Sequence, residues 1–373
     1  MLNSSSQRII AIDILRGITI AGMILVNNPG TWDHIYWPLE HAEWHGYTPT
    51  DFVFPFFLFL VGMSIPFSLD ANKLEGRKPY RKIISRSLKL IALGIFLGAF
   101  RTHFPFFETW EKVRLPGVLQ RIGIVYCIVS ILFLNVDWKK LLAIGVVCLL
   151  GYWAIMTLIP LPDGTMPTLA RDSNLEAVVD LKIFGTHMWL PDYDPEGLLS
   201  TIPSIATAIF GILTSLLLRH ADKIQSSKIK WLLIVGVSAV IIGLLWNTVF
   251  PINKKIWTSS YVMFTGGWAC LFLALIIWIT EAAYVTWAKP FIWLGMNSIA
   301  IYALNEFIAS VMGQIQFAYH GTQTSVHGFL YDNLIASWIA DPKLSSCIYA
   351  ILVVLFYIFV AWIFYRRKLF FKI

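Results

Sequence analysis

Apolar residues run along this chain in ten near-continuous blocks, near residues 9–28, 51–70, 84–101, 117–135, 140–159, 199–218, 230–250, 258–280, 290–313 and 344–365. As helix, a block of about 20 residues crosses the roughly 30 Å hydrocarbon core of a bilayer. The blocks lack the polar–apolar alternation of a membrane β-barrel, and a spanning backbone must otherwise satisfy its own hydrogen bonds, which leaves helices. The pattern therefore predicts an all-α, polytopic transmembrane helix bundle of about ten spans. One domain is expected over 1–373, with no fixed-period repeat and a longest connection at about 160–198 that packs over one face.

Composition agrees: 57% of residues are hydrophobic and 14% charged, mean hydropathy is +0.67, and a soluble surface cannot be built from that mixture. A net charge of +7 does not point to nucleic acid, because the basic residues sort by loop. They concentrate in "KLEGRKPYRK", "RHADKIQSSKIK" and "YRRKLFFKI", which the positive-inside rule assigns to the cytoplasm. Counting from Arg8 then places both termini in the cytoplasm and 29–50, 102–116, 160–198, 251–257 and 314–343 outside. The 29–50 connection bears Asp33, Glu40 and Glu43 and no Lys or Arg. The first block carries Asp13 and Arg16 with no small-residue cleavage site, so it reads as a retained span. Cys127, Cys148, Cys270 and Cys347 fall inside spans without metal-type spacing, which disfavours disulfides and zinc alike.

Charges inside lipid are costly and tend to pair or to line polar cavities. "IDILRG" puts Asp13 and Arg16 on one helical face, as a structural pair or with Arg16 also touching a ligand. "VRLPGVLQRIG" brings Arg114, Gln120 and Arg121 to the start of the fourth span, Arg121 deeper and expected to face a cavity. Asn247, Asn253, Asn297, Ser298, Asn305 and Glu306 serve either as interhelical hydrogen-bonding groups or as cavity lining. Arg86 and Lys89, at the cytoplasmic start of the third span, suit a helix anchor or a phosphate. In "EHAEWHGYTPTDF", His41 and His45 lie one helical turn apart with Asp51 close behind. A carboxylate that fixes one ring nitrogen leaves the other as a base. Solvated loop histidines are the plainer reading, and zinc lacks a third ligand of suitable spacing, so no metal is expected. Trp32, Trp37, Trp44 and Trp189 offer faces for a sugar or sit as an interfacial belt.

The blocks "IDILRG", "HAEWHGYTPTDFVFPFFLFLVG", "EKVRLPGVLQRIGIVY", "YDPEGLLSTIPSI", "NTVFPINKKIWTSSYV" and "LGMNSIAIY" resemble the heparan-α-glucosaminide N-acetyltransferase family, in the family's order. The resemblance implies transfer of acetyl from cytoplasmic acetyl-CoA to a glucosamine amine across the membrane. It implies that His41, not His45, is catalytic, that Asn27 lies near the acetyl donor, and that Arg16 is the family's arginine. It also implies a multi-pass protein of a bacterial cytoplasmic membrane and allows a homodimer. Animal members carry an amino-terminal lumenal region and a further span with no counterpart here, so a small amino sugar is the expected acceptor. The expected route seats the CoA phosphates at Arg86 and Lys89 and threads the pantetheine arm past Arg16, Arg121 and Asn297 toward Asn27 and His41. Trp44, Asp51 and His45 would meet the sugar. Direct transfer and an acetyl-histidine intermediate both remain open, and the rival readings are a sugar transporter and an O-acetyltransferase of envelope glycans.

Overall fold

The computed structural model describes residues 10–220, 225–282 and 285–371; Arg8 and part of the basic 219–230 connection lie outside them. The elements are α1 (Ile10–Asn27), α2 (Val53–Leu74), α3 (Tyr80–Ala99), α4 (Val118–Asn135), α5 (Trp138–Leu158), α6 (Leu175–Phe184), α7 (Thr201–His220), α8 (Gln225–Trp246) and α9 (Ser259–Ala282). There follow α10 (Lys289–Met296), α11 (Ser298–Gln314), a hairpin of β1 (Gln316–Tyr319) and β2 (Thr322–Ser325), α12 (Val326–Tyr331) and α13 (Pro342–Arg366). The molecule is an all-α helical bundle. Among the described residues eight helices are long and apolar enough to cross a membrane, or nine with the bent pair formed by α10 and α11. Helix α3 falls outside that set because Arg81, Lys82, Arg86 and Lys89 crowd its first half.

The ring order follows from burial. The spans on α1, α2, α4, α7 and α9 are 56–67% buried, whereas those on α5, α8 and α13 are 22–28% buried and turn most of their apolar surface outward. Small residues permit the closest crossings: Gly62 of α2 meets the Ala208 backbone of α7, and Gly211 of α7 meets that of Phe59. Gly17 of α1 and Gly295 of α10 are likewise pressed against the Phe291 and Asp13 carbonyls. That second crossing holds the end of α10 beside Arg16.

The block at 290–313 is not one straight helix. Its two halves meet at 73° around Asn297. Asn297 Nδ2 donates to the Leu369 carbonyl at 3.1 Å and its Oδ1 accepts from Phe371 N at 3.0 Å, so the asparagine ties the break to the chain after α13. Hydropathy misses such a break because Asn297 and Ser298 are no more polar than the Asn305 and Glu306 that follow inside the unbroken α11. The 160–198 connection is also more ordered than its composition predicts. It contains α6, capped by Asn174, whose side chain accepts from Ala177 N, and buries Glu176, Asp180 and Asp194.

Candidate active site

The segment before α2 is organised by one carboxylate. Asp51 Oδ2 accepts from Thr48 N at 2.9 Å, from Ala42 N at 3.1 Å and from Thr48 Oγ1 at 3.2 Å. The first of these, with the Asp51 N–H donated to the Thr48 hydroxyl, makes a capping box at the turn leading into α2. The other oxygen, Oδ1, lies 2.7 Å from His41 Nδ1. A buried carboxylate in that position accepts the Nδ1 proton and leaves Nε2 as the basic nitrogen. Asp51 is 1% exposed, whereas 36% of the His41 side chain is open, which lets an acceptor reach the ring.

Lys254, from the connection between α8 and α9, completes the group. Its Nζ stands 3.1 Å from both ring nitrogens of His41 and 4.0 Å from Asp51 Oδ1. Being equidistant from the two nitrogens, the ammonium lies on the plane that bisects them and along neither lone pair. It therefore acts on the imidazole by charge while leaving the Nε2 direction clear. Burial, and next the Lys254 charge, hold the His41 pKa below its ordinary 6.5 in spite of Asp51. Burial pushes Lys254 itself down to about 8. His41 is thus the neutral, proton-accepting form at pH 7.

The sign of the Lys254 effect gives a direct expectation. Activity that needs neutral His41 rises through the His41 pKa, so its acidic limb lies below pH 6.5. Lys254→Met removes a cation that disfavours imidazolium, while Asp51 still favours it. The acidic limb of kcat/KM should move to higher pH, and an unmoved limb would separate Lys254 from His41.

A second polar group lies alongside. Arg114 binds Asp194 through two bonds, Nε to Oδ2 at 2.8 Å and Nη2 to Oδ1 at 2.6 Å, and Nη2 also reaches Glu196 Oε2 at 2.5 Å. The guanidinium stacks on Trp189, 5.1 Å from the ring centre. Arg114, Arg121 and Lys254 together hold the Glu196 carboxyl below its usual range, so the two groups share one electrostatic field. Tyr302 of α11 lies within range of the charges on Glu306, Glu196 and Arg114. Glu306 Oε1 accepts from Asn27 Nδ2 at 3.1 Å. Among the described residues His41 and Asn27 share no hydrogen bond.

Three expected positions are placed as follows. Trp44 donates from Nε1 to the Leu169 carbonyl at 2.7 Å and meets Tyr193 edge-on, fastening the 160–198 connection over the site. His45 is exposed, its Nδ1 3.3 Å from Asn253 Nδ2. Arg121 corrects the expected slot. It is 2% exposed and gives its Nη atoms to the carbonyls of Pro195 and Gly197, at 3.2 and 2.9 Å, and to Ser200 Oγ. It also stacks on Trp257. Such an arginine is a brace for the 194–200 segment, far better satisfied by carbonyls than by a passing ligand.

Arg16, Asn297, Arg86 and Lys89, by contrast, do come together. They line a cavity of about 820 Å³ bounded by α1, α2, α3, α4 and the α10–α11 break, within the size range of cofactor pockets. Arg81 and Lys82 join them. Asn297, Ser298 and Ile299 put the start of the 17-residue α11 into the wall, and the free N–H groups of a helix start favour anions. Arg16 reaches Asp13 at 3.2 Å and Ser64 Oγ at 2.5 Å. Arg86 lies over the Tyr126 ring at 4.7 Å, and its buried Nε has no hydrogen-bond partner among the described residues.

Lys254, Asp194 and Glu196 were not singled out from the sequence. All three fall inside the blocks "NTVFPINKKIWTSSYV" and "YDPEGLLSTIPSI", but loop charges read as solvated until a partner is known.

A helical bundle with a carboxylate-oriented imidazole before α2 and a basic cavity further along it defines a class, the polytopic helical membrane proteins. The particular family is given by comparison. Residues 8–195 match the family described as heparan-alpha-glucosaminide N-acetyltransferase, catalytic, and the chain belongs to that acyltransferase family. It is 28% identical over 435 aligned positions to the heparan-alpha-glucosaminide N-acetyltransferase of Homo sapiens, covering 100% of this chain. It is 27% identical over 433 positions to that of Mus musculus, covering 99%. The chain spans 61% of the length of each of these relatives.

Proposed function

We propose that this protein moves the acetyl group of cytoplasmic acetyl-CoA through the membrane to the amine of a glucosamine-type sugar on the extracytoplasmic side. The observation that carries this reading is the placement of two chemically matched sites at opposite ends of the same helices. Asp51, which orients His41, precedes α2, whereas Ser64 and Ser68 of α2 line the basic cavity. Ser64 stands thirteen positions after Asp51, about 20 Å at a helical rise of 1.5 Å per residue. The basic residues around 77–89 and 366–368 assign the cavity end to the cytoplasm, where the CoA phosphates bind to Arg86, Lys89 and the start of α11. The pantetheine arm then extends past Arg16 and Asn297 along α1.

At the outer end, His41 Nε2 accepts a proton from the sugar ammonium, freeing the amine to attack the thioester carbonyl. Carbon–nitrogen bond formation accompanies cleavage of the carbon–sulfur bond, and the second proton, shed by the nitrogen as the amide forms, passes to the departing CoA thiolate. Asn27, fixed by Glu306, stabilises the oxyanion with its second N–H. The amine, already a good nucleophile once deprotonated, gives no reason to interpose an acetyl-histidine, so direct transfer in a ternary complex is the simpler course. The enzyme sits as a multi-pass protein in a bacterial cytoplasmic membrane.

Lys89→Gln and Arg86→Gln should each raise KM for acetyl-CoA about tenfold, the worth of one charge-assisted bond of about 1.5 kcal/mol, with KM for the sugar unchanged. Equal effects on both substrates would remove the cavity from the donor site. Release of free CoA that depends on added glucosamine, from purified protein in detergent, tests the reaction itself; a transporter would release none.

A further inference from the structure

The bonds around Tyr152 do not balance for an ionised site. Tyr152 Oη, fully buried on α5, lies 2.5 Å from the Ile256 carbonyl and 3.0 Å from Glu176 Oε2. A phenol carries one proton and can serve only one of two acceptors. The shorter contact assigns it to Ile256, which leaves the Tyr152 oxygen itself to accept. Among the described residues the group opposite that can donate is Glu176, provided that Glu176 is a carboxylic acid.

The surroundings favour that form. Glu176 is 2% exposed and Asp180, one turn on along α6, is 0% exposed. A side chain at Gly197 would collide with both Asp180 Oδ2 and Glu176 Oε1, so the two carboxyl groups adjoin. Asp180 Oδ1 accepts from Leu198 N at 2.8 Å, whereas its buried Oδ2 has no partner among the described residues. Asp194 adds a further negative charge facing Asp180. Arg121 from α4 is the cation that opposes them, but its Nη atoms are given to the 195–200 segment and its Nε is unpartnered among the described residues. Two adjoining buried carboxylates with that little compensation do not both ionise. Burial and Asp180 push the Glu176 carboxyl well up from the ordinary carboxylate range.

We infer that Glu176 is a neutral positioning residue whose proton is donated to Tyr152, closing a relay from Glu176 through Tyr152 to Ile256 that fixes the Lys254 connection over His41. The relay joins three separate pieces of the outer end. Glu176 Oε1 also accepts from Ser200 N at 3.1 Å, and Asn253 Oδ1 accepts from Lys255 N and Ile256 N at 2.7 and 3.2 Å. The tie at Ile256 is two residues from Lys254. Loss of the Glu176 proton would draw the Tyr152 proton back from Ile256 and free that connection. The inference concerns protonation and geometry, and it holds whatever the acceptor of the proposed reaction.

Infrared difference spectra of the full-length protein in detergent at neutral pH test it without an activity assay. Wild type minus Glu176→Gln should show a carboxylic C=O stretch, and in Tyr152→Phe that band should move as its hydrogen-bond acceptor is lost. No band in the difference spectrum, or a band that Tyr152→Phe leaves in place, overturns the relay. A kinetic readout supplements it. Glutamine donates to Tyr152 at every pH, so Glu176→Gln should keep neutral-pH turnover within about twofold and hold it to higher pH than wild type. Lys254 deprotonates in the same range in both proteins, so only the difference between them reports Glu176, and identical alkaline limbs count against the relay.

Discussion

His41→Ala should lower acetyl transfer about a thousandfold, within the range for loss of a positioned general base, while the purified protein keeps its helical content and elution volume. The fold is expected to survive because the histidine ring is partly exposed and meets Asp51 and Lys254 from loops, whereas Asp51 keeps its bonds to Ala42 and Thr48. His45→Ala, whose ring lies beside the Asn253 amide and the edge of Trp44, should cost less than tenfold. The contrast between the two histidines is the informative part. A His41 variant with wild-type turnover, or two equal losses, would take the chemistry away from His41. If an acetyl group can be trapped on the wild-type imidazole with acetyl-CoA alone, direct transfer is replaced by the covalent route while the assignment of His41 stands.

The second large effect is on stability. Arg114→Ala should destabilise the protein by about 3–5 kcal/mol, the usual cost of removing one partner from a buried ion pair. It strands Asp194, which is 0% exposed, and Glu196, which is 8% exposed. Asp194 also organises its own loop, accepting from Trp189 N and Glu196 N at 2.7 and 2.9 Å, so its repulsion would be felt across the strap over the site. Arg114→Lys should recover little, since an ammonium cannot reproduce the two-pronged contact. The check is the midpoint of thermal unfolding in detergent, followed by tryptophan fluorescence. A change of a degree or less would mean that the cluster is solvated in membranes and contributes nothing.

The bundle was readable in the chain because lipid imposes a length and a uniform apolarity that few other environments demand. Nine of the ten blocks each fall on one helix, and that at 290–313 falls on the bent α10–α11 pair. The Asn297 break was not readable, because Asn297 and Ser298, like Asn305 and Glu306 further along the same run, serve equally well as glue between straight helices. The site divides in a similar way. Arg16, Arg86 and Lys89 are rare charges in greasy segments, His41 and Asp51 are titratable groups crowded before one, and Asn297 is an amide within an apolar run; His41 lies against Asp51, and the other four line one cavity. Arg121 was read as a ligand contact, since sequence shows its depth and not the Pro195 and Gly197 carbonyls that claim it from 74 and 76 residues away. Lys254 lies 213 residues from His41, and no local pattern announces a pairing at that distance.

The account turns on the two sites facing different compartments. With Cys127, Cys148, Cys270 and Cys347 replaced by serine or alanine, single cysteines at Glu43 and at Lys89 can be labelled with a membrane-impermeant maleimide in right-side-out and inverted vesicles. Position 43 should react only from outside, and position 89 only from inside with protection by acetyl-CoA. Labelling of both positions from one face, with acetyl-CoA shielding position 43 from that same face, would contradict transfer across the membrane.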